Sequence, residues 1–346
     1  MRIMDVVMEK RNELMQRLFP GGVPRIWCPM LTHYNPDGGI DGFRMRAMLR
    51  SLYPHVGGLV AAGETGDGYR LTRKQCDSVL NICLEDSKAL GMRVLFAVLE
   101  DEAQDAFGCI YYHLAALERK FKKGDHIENL IAAGLCGYLV YLPVGDDMTD
   151  EALVDDLTPI MELGVPIALV NDPAVTHNQL SPKSICEFAH KYPHFFCYQD
   201  KSGRDEFVLS EYDDDTLYTL RGFEYDYSSW FDRYDGFMVP SANCFASAIA
   251  RIWAEREDGE PGSADDISLR ITNAVRGLVE LGERMEGDVL QNAARLGDHF
   301  RAYGKDSWDV DPSLTFGGEE IPYKLIEAAG DIINDNGLSN ENGYMV

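Results

Sequence analysis

A lysine stands in the polar cluster that ends the apolar run "FFCYQDKSGRDE", residues 195–206. An amine that is neutral part of the time attacks a carbonyl carbon and forms an imine, and burial or a nearby cation supplies that neutrality. Arg204 is close enough in sequence to act as that cation, whereas Asp200, Asp205 and, if it lies nearby, Glu64 would hold the lysine protonated. Lys201 is therefore either a catalytic amine or an ion-paired loop residue that is catalytically silent.

Carboxylates form a second candidate set, because many of them follow apolar runs. They are Glu64, Asp67, Asp172, Asp200, Glu224 and Asp226. If they converge, hard oxygens at that density suit Mg²⁺, Mn²⁺ or Ca²⁺, and such an ion polarises a keto acid without any lysine. The alternative is that half of them cap helices or face solvent. We assign no residue as a metal ligand and no cofactor, and a divalent metal stays open as an alternative.

Eight short apolar runs alternate with helical patterns and would position these groups. The predicted strands cover residues 25–31, 57–63, 93–99, 137–143, 166–172, 195–201, 222–228 and 235–241. Strands that are continuously apolar are typical of parallel strands covered on both faces. Eight such units predict an α/β fold, a (β/α)₈ TIM barrel with an N-terminal helix, whose site lies on the loops after the carboxyl ends of the strands. We place the barrel at residues 1–258 and a C-terminal helical extension, packed on the barrel, at 259–346.

Two of these predictions concern side-chain direction. A two-residue step keeps a strand side chain on one face, so Lys201 should share the face of Gln199. In the predicted seventh strand, Tyr225 and Tyr227 would share one face, with Glu224 and Asp226 on the other. A weak helical pattern continues from residue 201 to about 220.

Composition excludes some partners. The formal net charge is −25, which repels nucleic acid and anionic membranes, so we predict neither as a partner. No run of about 18 apolar residues is present to span a membrane. The eight cysteines are scattered and form no CxxC pair, which favours reduced thiols and a cytoplasmic location over a zinc site.

The order of several short motifs resembles the dihydrodipicolinate synthase/N-acetylneuraminate lyase family across residues 24–255. The motifs are "CPMLTHYNPDGGID", "GETGDG", "YLVYLP", "NDPAVT", "QDKSGRD" and "PSAN". The resemblance implies a barrel, assembly into a homo-oligomer (a tetramer or a dimer), and a small-molecule 2-keto acid substrate. It also implies a Schiff base on a strand-six lysine, a loop after strand two that cradles the substrate carboxylate, and a proton-relay tyrosine on strand five.

The sequence departs from that pattern at the residues that do the chemistry. Gln199 stands at the lysine position and cannot form an imine. Glu64 and Thr65 replace two threonines, and Val170 replaces the relay tyrosine. Val175 replaces the carboxylate-binding arginine of some subfamilies.

The candidate residues follow from the motifs. The catalytic candidates are Lys201, Gln199 and Glu64, and the substrate-binding candidates are Gly63, Thr65, Asn171 and Asn243. For Asn243 the alternative is that its amide ties the strand-eight loop to neighbouring backbone.

Three functions stay open. The first is a carbon–carbon lyase or aldolase that acts on a 2-keto acid, with Lys201 as a displaced nucleophile or a metal in its place. The second is a family member without lyase activity that serves as a binding or sensing protein. The third is isomerase or hydrolase chemistry that uses the acidic barrel mouth.

Overall fold

The computed structural model describes residues 3–146, 148–213 and 216–346. In these residues eight strands close into a barrel in the order of the sequence, which confirms the predicted (β/α)₈ fold. The strands are β1 Ile26–Pro29, β2 Gly58–Ala61, β3 Arg93–Val98, β4 Leu135–Tyr141, β5 Ile167–Asn171, β6 Phe195–Asp200, β7 Tyr218–Arg221 and β8 Gly236–Met238. Almost every strand residue is buried, as expected for parallel strands covered on both faces.

Helices follow most strands, and others flank the barrel units. They are α1 Ile3–Leu18, α2 Gly42–Leu52, α3 Arg73–Leu90, α4 Ala103–Phe121, α5 His126–Ala133, α6 Asp150–Met161, α7 Pro173–Thr176, α8 Pro182–Lys191, α9 Ala242–Glu257, α10 Pro261–Gly282, α11 Val289–Tyr303 and α12 Tyr323–Asp335. Some of these helices begin after an N-cap residue whose side chain binds a backbone N–H of the first turn. The Thr72 side chain accepts from the Gln75 N–H and closes a capping box on α3, and Ser181 caps α8.

The seventh strand was predicted wrongly. It covers Tyr218–Arg221 and lies before the predicted segment 222–228. Tyr225 and Asp226 have φ of 81° and 54°, which an extended strand does not allow, and a 3₁₀ turn follows at Tyr227–Trp230. The described residues between β6 and β7 form turns in place of the predicted helix.

The chain divides into two compact units. The first holds Met1–Arg25, Arg93–Phe223 and Arg233–Phe237, and the second holds Ile26–Met92, Glu224–Asp232 and Met238–Val346. The predicted domain boundary at residue 258 stays a prediction.

In the second unit β1 pairs with β2 at a close approach. The buried Trp27 ring lies against Gly58, where any side chain would overlap it. Glycine is therefore required at this position. The helices α10, α11 and α12 of the predicted extension pack on one another in the same unit, and α10 and α11 also pack on α9.

In the first unit a buried arginine joins α1 to β6 and α8. Arg11 donates from Nε to the Phe195 carbonyl (3.0 Å) and from Nη1 to the Thr216 carbonyl (2.8 Å). Its Nη2 donates to the carbonyls of Ala189 and Tyr192, in the last turn and at the end of α8. Carbonyls at a helix end have no partner within the helix, and a cation there also interacts favourably with the helix dipole.

The Arg11→Met variant should lower the free energy of unfolding by about 2–4 kcal/mol, because it leaves several buried carbonyls without a donor. Chemical denaturation followed by circular dichroism measures the change. Arg17→Met on the same helix is the control, since Arg17 is exposed and pairs with the exposed Glu128. That control should lose under about 1 kcal/mol. Equal losses in the two variants would show that the buried contacts of Arg11 do not stabilise the unit.

Candidate functional site

Lys201 follows β6 directly and is largely buried. Its backbone N–H donates to the Asn171 carbonyl (2.8 Å), so the pairing of β5 with β6 continues into this residue. The side chain is 9% exposed, and its ammonium group forms an ion pair with the Asp172 carboxylate. The Tyr141 ring centroid lies 5.8 Å from Nζ. Lys201 is therefore ion-paired, but it is not an exposed loop lysine.

Gln199 and Lys201 share one face of the strand, as the two-residue step predicts. A side chain at Gly222 would overlap both the Gln199 amide and the Lys201 stem. Gly222 begins the loop after β7, and its lack of a Cβ leaves the space that the two side chains fill. The glutamine amide and the lysine stem thus lie together over the end of β7.

Asp172 is the counterion of Lys201, a role that the sequence had given to Asp200, Asp205 and Glu64. It follows β5 and begins α7, where its carbonyl accepts from the N–H groups of Val175 and Thr176. Its side chain is 4% exposed. A carboxylate so close to the amine favours the ammonium form at rest and is also the nearest group that can accept a proton from it.

Asp200 lies on the other face of β6 from Lys201, as alternation along a strand requires. Its Oδ1 accepts from the Ser202 N–H (2.8 Å) and from Nδ2 of Asn171 (3.2 Å). Its Oδ2 and the Oδ1 of Asn171 are buried and have no hydrogen-bond partner in the described residues. Burial raises the pKa of Asp200, and the nearby Asp205 adds to that shift. Burial of an oxygen that has no donor disfavours the ionised carboxylate at this position.

Asp205 is bound to Arg221, a residue that sequence reasoning missed. Arg221 Nε lies 3.0 Å from Asp205 Oδ1, and the Tyr234 hydroxyl donates to the same oxygen (2.7 Å). The predicted seventh strand began after Arg221, so its place in the barrel went unrecognised. Arg204, the expected cation near Lys201, is exposed and contacts Gln179 and Glu206.

In the second unit the loop "GETGDG" is held by groups around it. Gln291 donates to the Glu64 carbonyl, and Thr32 donates to the Gly66 carbonyl (2.6 Å). Asp67 forms a buried ion pair with Arg295 and accepts from the Tyr34 hydroxyl (2.8 Å). The candidates Gly63, Glu64 and Thr65 thus lie in one buried loop of this unit.

Asn243 is fully buried and its amide is used by the backbone. Its Oδ1 accepts from the Leu31 N–H (3.0 Å), and its Nδ2 donates to the carbonyls of Pro29 and Pro240 (both 2.9 Å). These contacts are those of the alternative interpretation, in which the amide ties the strand-eight loop to β1.

Glu224 forms a buried cluster with Tyr227 and Ser241 that the misplaced strand had hidden. It accepts from the Tyr227 hydroxyl and from the Ser241 N–H (2.8 Å). The predicted separation of Glu224 and Tyr227 onto opposite faces is therefore wrong. Burial raises the pKa of Tyr227, so its hydroxyl stays a donor.

The acidic residues do not form a metal cluster in the described part of the chain. No group of three or more His, Cys, Asp or Glu side chains there is arranged to hold a metal ion. Several expected ligands are already committed, since Asp172 pairs with Lys201 and Asp67 with Arg295. Among the helices of the described residues, none is long and apolar enough to cross a membrane.

Solved structures with this fold identify the proteins that the chain is similar to. One is a dihydrodipicolinate synthase, with 15% identity and a TM-score of 0.70 over 91% of this chain and 100% of that one. Another is YagE of E. coli K12, a prophage protein of the dihydrodipicolinic acid synthase family in complex with pyruvate, with 15% identity and a TM-score of 0.71 over 90% and 98% of the two chains.

A third is a variant of the Sulfolobus solfataricus 2-keto-3-deoxygluconate aldolase in complex with L-2-keto, 3-deoxy-galactonate, with 16% identity and a TM-score of 0.70 over 90% and 96%. No family model matches the sequence, and no curated protein matches it. At this level of identity the similarity establishes the shared fold, and the predicted resemblance is confirmed at that level.

The Asp200→Asn variant should be stabilised relative to the wild type as pH rises. The folded-state pKa of Asp200 lies above its ordinary value of 3.8, so its contribution to stability is fully present below that value and is lost as pH rises through the folded pKa. Asparagine does not ionise, and the difference in free energy of unfolding between the variant and the wild type should grow from acidic to neutral pH. Denaturation curves across that range measure the difference. Asp156→Asn, at an exposed position, is the control. If the free energies of unfolding of Asp200→Asn and the wild type change with pH in parallel, the raised pKa of Asp200 is contradicted.

Proposed function

We propose that this protein is a carbon–carbon lyase or aldolase of the dihydrodipicolinate synthase type, which acts on a 2-keto acid through an imine on Lys201. The observation that carries the proposal is the buried Lys201–Asp172 pair at the carboxyl ends of β6 and β5. Active sites of this barrel class lie at that end of the strands. The similar structures include one in complex with pyruvate and one in complex with a 2-keto sugar acid.

The first step needs a neutral amine, and Asp172 is the group that accepts the proton. Proton transfer from the Lys201 ammonium to the Asp172 carboxylate gives an amine next to a neutral acid. The amine nitrogen attacks C2 of the keto acid, and the carbonyl oxygen takes up a proton. After a second protonation this oxygen leaves as water, and the Lys201 nitrogen is joined to C2 as an imine.

The imine then serves as the electron sink for carbon–carbon cleavage. Removal of the proton from the C4 hydroxyl breaks the C3–C4 bond, releases an aldehyde and leaves an enamine on Lys201. Protonation of C3 and hydrolysis of the imine return the amine and a shorter keto acid. The reverse sequence is aldol addition.

Gln199 supplies an amide beside the amine in this scheme. It stands where the resemblance places the lysine, and it shares the strand face of Lys201 over Gly222. An amide both donates and accepts hydrogen bonds, so we assign it to the substrate carboxylate or carbonyl. The binding roles of Gly63, Thr65, Asn171 and Asn243 and the catalytic role of Glu64 stay predictions, as do the homo-oligomer and the cytoplasmic location.

A binding or sensing protein without lyase activity is the second candidate. It is favoured by Gln199 at the lysine position and by the ion pair that holds Lys201 as an ammonium at rest. A fixed cation beside an amide would bind a keto acid non-covalently through its carboxylate.

Borohydride reduction in the presence of pyruvate should fix a covalent adduct on Lys201. Intact mass and peptide mapping locate it, and Lys201→Ala should show none, since no other amine replaces the lost nucleophile. Lys183→Ala, at an exposed lysine, is the control and should react like the wild type. An unmodified wild type, beside a reactive dihydrodipicolinate synthase, would rule out the imine and leave the binding protein as the function.

The Asp172→Asn variant should form the trapped adduct about 10²-fold more slowly than the wild type, because the proton acceptor is lost. Trapping time courses at several pH values give the rate constants. Asp156→Asn is again the matched exposed control. Faster trapping in Asp172→Asn would show that the carboxylate only holds the lysine protonated and takes no part in the proton transfer.

A further inference from the structure

A groove in the second unit lies apart from the residues assigned above to the reaction. It is open to solvent, has a volume of about 160 Å³ and is bounded by α9, α10 and the segment 337–340. A cavity of about 150 Å³ can hold benzene, so the groove has room for one small aromatic ring. Its lining residues on the two helices recur at helical spacing, which gives each helix one face toward the groove.

The lining of the groove combines apolar and polar side chains. Phe245, Ile267 and Leu338 supply apolar surface, while Ser247 and Ser339 supply hydroxyl groups. Small-molecule sites combine apolar side chains with a small number of polar groups. The molecule that fits such a groove has an apolar body and a polar end.

Two arginines in the lining select the charge of that polar end. Arg251 projects from α9 and Arg270 from α10. Each faces one carboxylate at long range, the half-buried Glu255 at 3.5 Å and the exposed Asp266 at 3.7 Å. Exposed pairs at these distances contribute little, so a ligand carboxylate or phosphate can replace them as the partner of the guanidinium groups.

The third wall is fixed in place before any ligand binds. Arg270 donates from Nε to the Asn336 carbonyl (2.7 Å) and from Nη2 to the Gly337 carbonyl. Gly337 has a φ of +59°, and a Cβ there would overlap the Arg270 guanidinium. The arginine therefore both closes the wall and presents its remaining N–H groups, which makes the groove preorganised.

The groove carries no evident catalytic group. Its lining in the described residues includes no histidine and no carboxylate. Cys244 lies in the lining but is buried, burial raises the pKa of its thiol, and the sulfur donates to the Ala294 carbonyl. A bound molecule would be held there without reacting.

We propose that this groove is a binding site for a small organic anion with an apolar body, held by Arg251 and Arg270. The inference goes beyond the proposed reaction and does not depend on it.

Fluorine NMR titration of the full chain with fluorobenzoate tests the site, with the neutral isostere fluorobenzamide as the matched ligand. Fluorobenzoate should bind saturably and at least about fivefold more tightly than the amide, because only the anion pairs with the guanidinium groups. Arg251→Gln should weaken its binding about five- to tenfold, and Ser247→Phe should remove it by filling the groove. The control Arg284→Gln changes an exposed arginine outside the groove and should leave binding unchanged.

The Lys201→Ala variant separates this site from the proposed reaction. It should retain the affinity of the wild type for fluorobenzoate, whatever the result of borohydride trapping. No saturable binding, equal binding of the amide, full affinity in both Arg251→Gln and Ser247→Phe, or loss of binding in Lys201→Ala would each overturn the proposal.

Discussion

The buried ion pair between Lys201 and Asp172 is the interaction on which the candidate site depends. Taking two charges out of water costs several kcal/mol per ion, and their attraction repays this only in good geometry. The ladder between β5 and β6 supplies that geometry, because the Lys201 N–H donates to the Asn171 carbonyl and so sets the two side chains opposite each other. A pair of this kind is weak evidence for a role in stability. In the proposed reaction it serves as a nucleophile and its proton acceptor, held in place by the strands.

Two other carboxylates near Lys201 in the sequence, Asp200 and Asp205, are bound by other residues. Alternation along β6 sends Asp200 to the other face, where burial raises its pKa and Asn171 and Ser202 bind one of its oxygens. Asp205 is occupied by Arg221 and Tyr234. Of the three carboxylates expected near Lys201, the two in the first unit are thus held elsewhere. Asp172 is the carboxylate that pairs with Lys201, and in the proposed reaction it accepts the lysine proton.

The barrel could be predicted from the sequence because the same apolar pattern recurs in almost every strand, so one wrong strand does not change the fold. Seven of the eight predicted strands overlap the observed ones, since a strand buried on both faces leaves an unbroken apolar run between turn residues. The seventh failed because β7 is short and ends in Arg221, while the polar and aromatic run after it looks like a better strand. Only the left-handed conformations of Tyr225 and Asp226 exclude that run, and backbone dihedrals of this kind leave little trace in residue type.

The candidate site was predicted in part, for a related reason. A two-residue step along a strand is a rigid rule, so the shared face of Gln199 and Lys201 followed from spacing. The ionic partner of Lys201 could not be predicted from spacing, because Asp172 lies 29 residues away and reaches it through strand pairing. Arg204 shows the converse. It is close to Lys201 in sequence, but it lies on an exposed loop and pairs with Glu206.

The distribution of positive charge links the two proposals. The chain carries a net charge of −25, which disfavours the approach of any anion except where a cation is locally presented. Several arginines are unavailable for this, because Arg11, Arg221 and Arg295 are buried on carbonyls or carboxylates. Lys201 and the groove arginines differ from these in the two proposals, since Asp172 accepts the lysine proton and a bound anion replaces the distant carboxylates beside Arg251 and Arg270. On such a chain, local cations would recognise both anions against the overall negative charge, Lys201 for the keto acid and Arg251 with Arg270 for the anion in the groove.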